Sequence, residues 1–368
     1  MKGIMIIQYF FPLLLLILIN LIITIHCLSM QCNINNIFHI SNDNFNKEIY
    51  CHKNEKNIFN DSTDIINYDF CYKCKKKKKK KKLNQQCKKK CSANEILKNI
   101  KIISAEDTLN EIIYNNKSIS RFGDGEFNLI FGRGIKFQKT NKNLSKRLKE
   151  VLLSNEKDLL IGIPDSFNFE YLNNLIPRTK RFWKKWIKKN KFKLIFLHKK
   201  VNYYSSFISR FYIIQKDKSN VLKYIKKLKK IWEKKDVLII EGEKSRFGVD
   251  NDLFDNVKSI QRILCPSKNA FFIYNKILKE ALKTDKKKLI LLVLGPTASV
   301  LAYDLYKAGY QVIDIGHVDI EYEWFIRNVT SKIIIKGKYV NEVKGGNINI
   351  ENVKDKNYYN QIIAKVLN

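Results

Sequence analysis

The sequence predicts an α/β fold with a mainly parallel sheet, and one stretch of the chain shows the reason most clearly. Residues 289–294 form a continuous apolar run, residues 298–307 have helical composition and end just before Gly309, and residues 310–315 form a second apolar run. A strand, a helix and a strand in this order require parallel strands joined by a right-handed crossover. Because the apolar runs do not alternate with polar residues, we expect helices on both faces of the sheet.

Further segments continue this alternation before and after that unit. Apolar runs predict strands at residues 159–163, 192–197 and 236–240, and a more alternating pattern predicts a last strand at residues 336–343. Helical spacing of apolar residues predicts helices at residues 108–114, 144–153, 182–189 and 221–232. Alternating strands and helices are typical of a Rossmann-like sheet.

The amino-acid composition, and above all the net charge, limits the kinds of partner that the protein can have. The chain has 368 residues, enough for one or two domains with a buried core, and its 69 basic residues against 35 acidic ones give a net charge of +34. Such a charge is compatible with nucleic acid, an anionic membrane surface or an anionic substrate. The heavy use of Lys, Asn and Ile is also what an AT-rich coding sequence produces.

The N-terminal region predicts a targeting segment within residues 1–28. Residues 4–25 are almost wholly apolar, which is close to the ~20 residues that span a bilayer as a helix. An uncleaved signal-anchor is favoured over a cleaved signal peptide, whose apolar core is usually shorter. Either one predicts the secretory pathway, with a luminal catalytic domain on the ER or Golgi membrane, or a secreted protein after cleavage. Four glycosylation acceptors fit a lumen: Asn60, Asn116, Asn143 and Asn328.

Residues 29–104 are predicted to be a largely disordered stem rich in Lys and Cys. A run of lysines at residues 75–82 repels itself and keeps the segment extended. Seven of the eight cysteines precede residue 92, and the pairs Cys71/Cys74 and Cys87/Cys91 have the spacing of a zinc ribbon. Disulfides or free thiols are the alternative, since a lumen is oxidising and the lysine run opposes a dication. The eighth cysteine, Cys265, is predicted to be a buried core thiol.

Two acids near the start of the predicted domain indicate metal chemistry. Asp124 and Glu126 flank Gly125, and Gly123 precedes them. In an extended or turn conformation, side chains two residues apart point the same way, so both carboxylates would face one ligand. Carboxylate oxygens are the ligands that Mg²⁺ and Mn²⁺ prefer. The alternative is a glycine-rich surface turn with solvated acids.

Polar clusters follow three of the predicted strands, at residues 241–243, 295–297 and 316–319. In open parallel sheets, ligands bind beyond the carboxyl ends of the strands, and the second cluster also opens a helix, whose N–H groups suit a phosphate. The chain has neither the dinucleotide fingerprint nor the P-loop motif, which removes the main support for NAD or P-loop NTPase function. A divalent-metal site beside a diphosphate site is what a nucleotide-sugar transferase needs.

A set of motifs resembles the GT-D-type glycosyltransferases, a Rossmann-like family first described in bacteria. The resemblance covers about residues 105–345, and the motifs occur in the family's order. They lie at residues 121–126, 241–242, 245–249, 251–254, 263–266, 269–270, 294–298, 314–324 and 337–342. Asp250 departs from the pattern, since the family is expected to have glycine there.

The resemblance implies roles for particular residues. Asp124 and Glu126 resemble the metal-binding pair, and Arg121 a phosphate ligand. Gly295, Pro296 and Thr297 would face the diphosphate, and Arg246, Asn251 and Asp252 would contact the nucleotide or the sugar. The base that activates the acceptor would be Asp319 first, then His317, with Glu321 as a third candidate.

The function predicted from the sequence is a metal-dependent glycosyltransferase. It uses Mn²⁺ or Mg²⁺ and transfers a hexose, glucose from UDP-glucose by resemblance, to a glycan or glycoprotein acceptor. The catalytic domain spans residues 105–345, followed by a tail at residues 346–368. No specific nucleic acid is expected as a partner. Two alternatives stay open: a polybasic protein with an inactive domain that binds nucleic acid or an anionic polysaccharide, and a phosphosugar or nucleotide hydrolase.

Overall fold

The computed structural model describes residue 97 and residues 100–199, 202–348, 350 and 355–367, all within the compact unit Lys77–Asn368. The predicted targeting segment, the lysine run, Asn60 and the cysteines before residue 92 lie outside the described residues. Within the described ranges, no helix is long and apolar enough to cross a membrane. The side chains of Asn116, Asn143 and Asn328 are exposed, and their glycosylation stays a prediction.

A sheet of nine strands forms the centre of the described structure. The strands are β1 (Lys101–Ile103), β2 (Ser118–Arg121), β3 (Leu159–Ile163), β4 (Asn202–Ser205), β5 (Asp236–Gly242), β6 (Ser259–Cys265), β7 (Leu289–Val293), β8 (Val312–Asp314) and β9 (Ile362–Lys365). Their order across the sheet is β1-β4-β3-β2-β8-β7-β5-β6-β9, and each ladder is parallel. The predicted parallel sheet is therefore confirmed.

Helices cover the sheet and connect its strands. They are α1 (Ala105–Tyr114), α2 (Asp124–Ile130), α3 (Lys142–Leu153), α4 (Pro177–Asn190), α5 (Val221–Lys229), α6 (Tyr274–Ala281), α7 (Pro296–Lys307), α8 (Val318–Ile326) and α9 (Lys356–Asn360). The strands β3, β5 and β7 are buried almost throughout, as continuous apolar runs require when both faces are covered.

Local sequence explains where α1 and α7 begin and end. The Ser104 side chain accepts a hydrogen bond from the Asp107 backbone N–H and so caps α1. Helix α7 begins with Pro296 at its first position and ends before Gly309, whose φ of +90° favours glycine. The helix contacts β2 and α3, and its buried residues include the small side chains of Ala298, Ser299 and Ala302.

The strand order reverses between β2 and β8, the two strands at the middle of the sheet. From β2 the chain proceeds outward through β3 and β4, whereas the later strands build the other half through β5, β6 and β7 before β8 returns to the middle. The two meet through the pair Ile119 and Ile313. Such a reversal leaves a crevice at the carboxyl ends of the strands, which is where open α/β sheets bind ligands.

Several elements differ from their sequence-based prediction. Residues 192–197 are part of a 3₁₀ helix, Lys191–Lys199, and the strand of this part of the chain follows at Asn202–Ser205. Residues 336–343 form turns, with no strand assigned among them, and their backbone hydrogen bonds are local or reach Lys244 and Gly346. The polar cluster at residues 316–319, for which no helix was predicted, leads into α8.

The sheet also extends beyond the predicted domain of residues 105–345. Strand β1 lies in the last residues of the predicted stem and pairs with β4, while β9 lies in the predicted tail and pairs with β6. Both are short edge strands of three or four residues, and such strands have too little pattern to be recognised from sequence. Cys265 is buried and free, as predicted.

Candidate active site

A cavity of about 880 Å³ opens at the carboxyl ends of the central strands. Its walls come from the segments that follow β2, β4, β5, β6, β7 and β8, together with the start of α4 and the loop at residues 330–342. This volume is within the range of small-molecule and cofactor sites. The three polar clusters predicted at strand ends are therefore brought to one cavity.

Arg121 and Asp314 join the two strands at the reversal point. The Arg121 side chain donates to the Asp314 carbonyl and carboxylate, and also to the Ser206 carbonyl and the Ser209 hydroxyl. The Arg121 backbone N–H donates to the same carboxylate at 3.1 Å. Every nitrogen of the guanidinium thus has a partner within the protein. The geometry favours a positioning role for Arg121, and its contact with phosphate stays a prediction.

Asp124 and Glu126 lie in the first turn of α2, so the expected extended or turn conformation is wrong. The Glu126 carboxylate accepts a hydrogen bond from the Gly123 N–H at 2.7 Å, which forms half of a capping box. A helix places residues two apart on different faces, but this backward bend of Glu126 leaves both side chains in the cavity wall. The start of a helix also favours negative charge.

Burial affects both acids. It raises the pKa of Asp124, against the nearby positive charge of Arg210, and it raises the pKa of Glu126 to about 7, against the hydrogen bond from the Gly123 N–H. A raised pKa means that each carboxylate lacks a full set of compensating partners in the protein. A cation placed between them would supply that compensation.

Arg210 is the charged centre that the sequence did not point to. It follows a 3₁₀ turn after β4, and its guanidinium contacts Glu342 through one nitrogen and Glu321, at 3.5 Å, through another. Lys332 also contacts the Glu342 carboxylate. Burial opposes the charge of Glu342, but Arg210 and His317 outweigh it and hold its pKa well below the usual range. Arg210 is a single arginine in an irregular segment and belongs to no sequence motif, so its place in the cavity could not be predicted from the sequence.

His317 stands at the start of α8 and is the most open of the three proposed bases. Its Nε2 lies 2.9 Å from Glu342 Oε1, and 41% of its side chain is exposed. Partial burial of the ring, followed by the positive charge of Arg210, lowers its pKa. The imidazole is therefore neutral at pH 7, and a neutral imidazole has one ring nitrogen that can accept a proton.

Asp319 borders the cavity, but its carboxylate is held by other side chains. Lys338 Nζ lies 2.8 Å from both of its oxygens, and Asn251 donates to Oδ1 at 2.8 Å. Burial raises the pKa of Asp319, and Lys338 opposes this rise. Asn251 also donates to Glu323, so its side chain binds two acids of α8.

Glu321 and Asp252 do not line the cavity. Glu321 is fully buried and accepts hydrogen bonds from the backbone N–H groups of Tyr212 and Ile213, at 3.1 and 2.8 Å. It thereby holds the segment that carries Arg210. Asp252 is exposed and pairs with the Tyr322 hydroxyl and with Lys229. Their assigned roles as base and as nucleotide contact stay predictions.

The turn between β7 and α7 faces the cavity at its other end. Gly295 has a φ of +53° and Pro296 begins the helix, and both border the cavity. A side chain on Gly295 would place its Cβ 2.7 Å from the Phe137 ring, so only glycine fits beneath that ring. Thr297 is fully buried behind them, and its hydroxyl has no hydrogen-bond partner.

The family comparison decides the class of this fold. The model of the glycosyltransferase GT-D fold matches residues 119–343, more than half of the chain. The chain belongs to the GT-D glycosyltransferases. The predicted family is confirmed, and with it the predicted enzyme class.

Relatives and solved structures agree with this assignment. The chain is 39% identical over 272 residues to a glycosyltransferase, GlyD, of Streptococcus pneumoniae, and 40% identical over 269 residues to a probable glycosyl transferase, Gly, of Streptococcus gordonii. Each match covers 73% of this chain but only 33% and 39% of those proteins, so this chain spans about a third of their length.

Two solved structures match almost over their full length. One is a domain of unknown function 1792 described as a distinct glycosyltransferase fold, with a TM-score of 0.70 at 39% identity, covering 75% of this chain and 99% of that one. The other is a glycosyltransferase of the same domain type from Streptococcus sanguinis, with a TM-score of 0.70 at 38% identity, covering 73% and 99%.

The loop at residues 337–342 of this GT-D domain contributes two side chains to the cavity wall, whereas Arg246 contributes none. Arg246, predicted to contact the nucleotide, is buried and donates to the Gly337 carbonyl at 2.5 Å; it does not border the cavity. Tyr339 and Asn341 do border it, and the Tyr339 hydroxyl and the Asn341 side-chain oxygen are buried without a hydrogen-bond partner. Both belong to the motif at residues 337–342, which marked the segment but did not show which side chains face the cavity.

Proposed function

We propose that this GT-D domain is a metal-dependent hexosyltransferase that takes glucose from UDP-glucose and transfers it to a glycan or glycoprotein acceptor. The observation that carries the proposal is that Asp124, Glu126 and Arg210 line one cavity at the reversal point of a parallel sheet, with Arg210 near Asp124. That position combines carboxylates for a cation with a guanidinium for phosphate, which is the pair of functions a departing nucleoside diphosphate needs.

The donor is proposed to lie over β5, β6 and β7. In that half of the cavity, Gly295 and Pro296 border the open space, and α7 starts there, where the N-terminal N–H groups of a helix suit a phosphate. The Asn269 N–H donates to the Phe137 carbonyl, which fixes the backbone there, and the Phe137 ring offers an apolar face at the same end. The diphosphate would then point toward Arg210 and the strand reversal.

The donor set of the cavity fits a divalent cation of the Mn²⁺ or Mg²⁺ kind. No cluster of three or more His, Cys, Asp or Glu residues with metal-binding geometry occurs in the described part of the chain. Two carboxylates are nonetheless sufficient when phosphate oxygens and water complete the coordination. Asp124 and Glu126 would hold the cation, which when bound offsets the negative charge on the leaving diphosphate.

His317 is proposed as the residue that takes the acceptor's proton. Its ring is neutral and open to the cavity, whereas the Asp319 carboxylate is engaged by Lys338 and Glu321 is buried against backbone N–H groups. Nε2 lies beside Glu342, so Nδ1 is the nitrogen that would face the acceptor hydroxyl. Asp319, the first choice from the sequence, becomes a positioning residue that holds the loop of Lys338 against α8.

The proposal is tested by following UDP release from UDP-glucose with the full-length chain. We expect turnover with Mn²⁺, loss of turnover with EDTA, and recovery when excess Mn²⁺ is added. Transfer is separated from hydrolysis by adding a glycan acceptor, methyl β-cellobioside, and measuring the new glycoside by mass. Release of free glucose alone, unaffected by the acceptor, would instead identify a hydrolase.

The alternative of a polybasic binding protein with an inactive domain has less support. The acids that the proposed chemistry needs are present, since Asp124, Glu126 and Glu342 all border the cavity. An inactive domain has no physical reason to keep partly buried acids with raised pKa values, because they destabilise the fold. No UDP release under any metal condition, together with salt-dependent RNA binding, would favour this alternative.

A further inference from the structure

The cavity continues past the proposed donor region toward β3 and β4, and that half has a different chemistry. Its wall contains Phe182, Trp183 and Phe207, with Arg178 and Thr179 beside them. We infer that this half is an acceptor subsite in which Phe182 stacks on the pyranose ring of the sugar that receives the transferred hexose. The inference rests on the proposed function, because it assigns the second substrate of the same reaction.

Helix α4 presents these residues on one face. Arg178 and Phe182 are four residues apart, and Thr179 and Trp183 are four residues apart, so all four side chains project toward the cavity. Phe182 is 46% exposed, although the neighbouring Trp183 is buried. A phenylalanine on a cavity wall leaves apolar area in water unless a ligand covers it.

The exposed ring has a rigid support. The Phe182 and Trp183 rings meet at 5.3 Å and 75°, and Trp183 packs on Trp186 and Phe207 at 5.6 and 6.0 Å. Aromatic neighbours in such tilted arrangements hold one another in place. Phe182 is therefore a fixed platform whose outer face is open, rather than a side chain that can withdraw into the core.

Trp183 and Phe207 connect this platform to Arg210. Phe207 and Arg210 belong to the same turn after β4, and the Arg210 N–H donates to the Phe207 carbonyl at 2.8 Å. With the donor over β5, β6 and β7, its sugar reaches the strand reversal, so the acceptor must approach from the side of β3 and β4. That side is where the aromatic wall lies.

The chemistry of the wall selects a pyranose among possible acceptors. A β-linked glucose unit has its hydroxyl groups around the edge and C–H groups on its faces, so one face can cover an aromatic ring while the edge makes hydrogen bonds. Arg178 and Thr179 stand where such hydroxyls would be, with a guanidinium and a hydroxyl as donors.

The test is saturation-transfer NMR on the full-length chain with methyl β-cellobioside, in the presence of UDP and Mn²⁺. We expect the ring C–H signals of the disaccharide in the unmodified protein, a loss of at least fivefold in Phe182→Ala, and recovery in Phe182→Tyr, which keeps the ring. Phe272→Ala is the matched control, because Phe272 is 56% exposed but does not border the cavity; this variant should keep the signals.

A parallel measurement with UDP-glucose distinguishes the two proposals. Phe182→Ala should bind UDP-glucose within twofold of the unmodified protein, which also shows that the variant is folded. Equal disaccharide signals in Phe182→Ala, or none in the unmodified protein, overturn the acceptor subsite. Equal loss of both ligands in Phe182→Ala overturns it as well. Failure of the unmodified protein to bind UDP-glucose counts against the proposed function instead.

Discussion

Lys338 Nζ lies 2.8 Å from both carboxylate oxygens of Asp319 and 2.9 Å from Glu323 Oε1, with all three side chains buried. This cluster joins α8 to the loop at residues 337–342, which brings Glu342 to His317. A lysine at the centre of two buried acids is a structural element, because either acid alone would be costly to bury. It makes Asp319 part of the framework on which the proposed base is held.

Removal of the lysine should therefore destabilise the protein. Lys338→Met leaves Asp319 buried without its cation and Glu323 with Arg327 alone, and we expect a loss of about 3–5 kcal/mol in the free energy of unfolding. The control is the double variant Lys338→Met with Asp319→Asn, which should regain part of that loss. Urea denaturation of both variants measures the difference, and a loss under about 1 kcal/mol in the single variant would show that the cluster is not a stabilising unit.

His317→Gln tests the proposed base. The substitution keeps a hydrogen-bonding side chain beside Glu342 but removes the proton acceptor, so kcat for transfer should fall by about 10²–10⁴-fold while the donor KM changes little. Steady-state kinetics with varied UDP-glucose give both constants. Asp319→Asn should lower stability as well as kcat, and a fall in kcat for Asp319→Asn alone, with His317→Gln fully active, would return the role of base to Asp319.

Asp124→Asn tests the cation site. The asparagine keeps the size of the side chain but lacks its charge, so UDP release should fall by at least about 100-fold, whereas the free energy of unfolding should stay within ~1 kcal/mol. Asp255→Asn is the matched control, because Asp255 is exposed and does not border the cavity. Unchanged UDP release in Asp124→Asn would remove this residue from the mechanism.

Gly316→Ala tests the junction between β8 and α8. Gly316 has a φ of +52°, and an added Cβ would lie 2.0 Å from Nη2 of Arg121, so the substitution must break the Arg121–Asp314 pair. Gly132→Ala provides the comparison, since its φ is +75° but nothing lies within 4 Å of the added atom. We expect about 1–2 kcal/mol of destabilisation for Gly132→Ala and clearly more for Gly316→Ala in thermal unfolding. Equal values would mean that Arg121 is free to move.

The pH dependence of stability should reveal Asp165, which is buried at the carboxyl end of β3. Burial raises its pKa to about 7 from the ordinary 3.8, against the hydrogen bond from Ser205. The unfolded chain releases this proton first, so the unmodified protein should lose stability relative to Asp165→Asn as pH rises from about 4 to about 7, by up to about 4 kcal/mol.

Asp236→Asn provides a control of opposite sign for this measurement. Hydrogen bonds from Lys258 and Ser259 lower the pKa of Asp236, so here the unmodified protein should gain stability relative to the variant as pH rises through about 4. Urea denaturation at several pH values measures both. Parallel curves for Asp165→Asn and the unmodified protein would contradict the buried state of this acid.

Much of this protein could be predicted from the chain alone, because its central features are local. The apolar runs of β3, β5 and β7, the proline and glycine that bound α7, and the polar residues after each strand follow from nearest-neighbour chemistry. Those features determined the α/β class and the edge of the sheet where the cavity lies. The ordered motifs determined the family.

What only the tertiary structure decided concerns contacts between residues distant in the chain. Arg210 and Glu342 are 132 positions apart in the chain, yet their side chains form an ion pair. Asn251 and Lys338 both bind the Asp319 carboxylate, so its hydrogen-bonding capacity is used within the protein and not by a ligand. Sequence shows that an acid is present, but its role depends on which cation reaches it and how much water remains around it. Both are set by packing over long separations, and therefore three acids of one motif came to differ: Asp319 braces a loop, Glu321 holds a backbone turn, and Glu323 anchors Lys338.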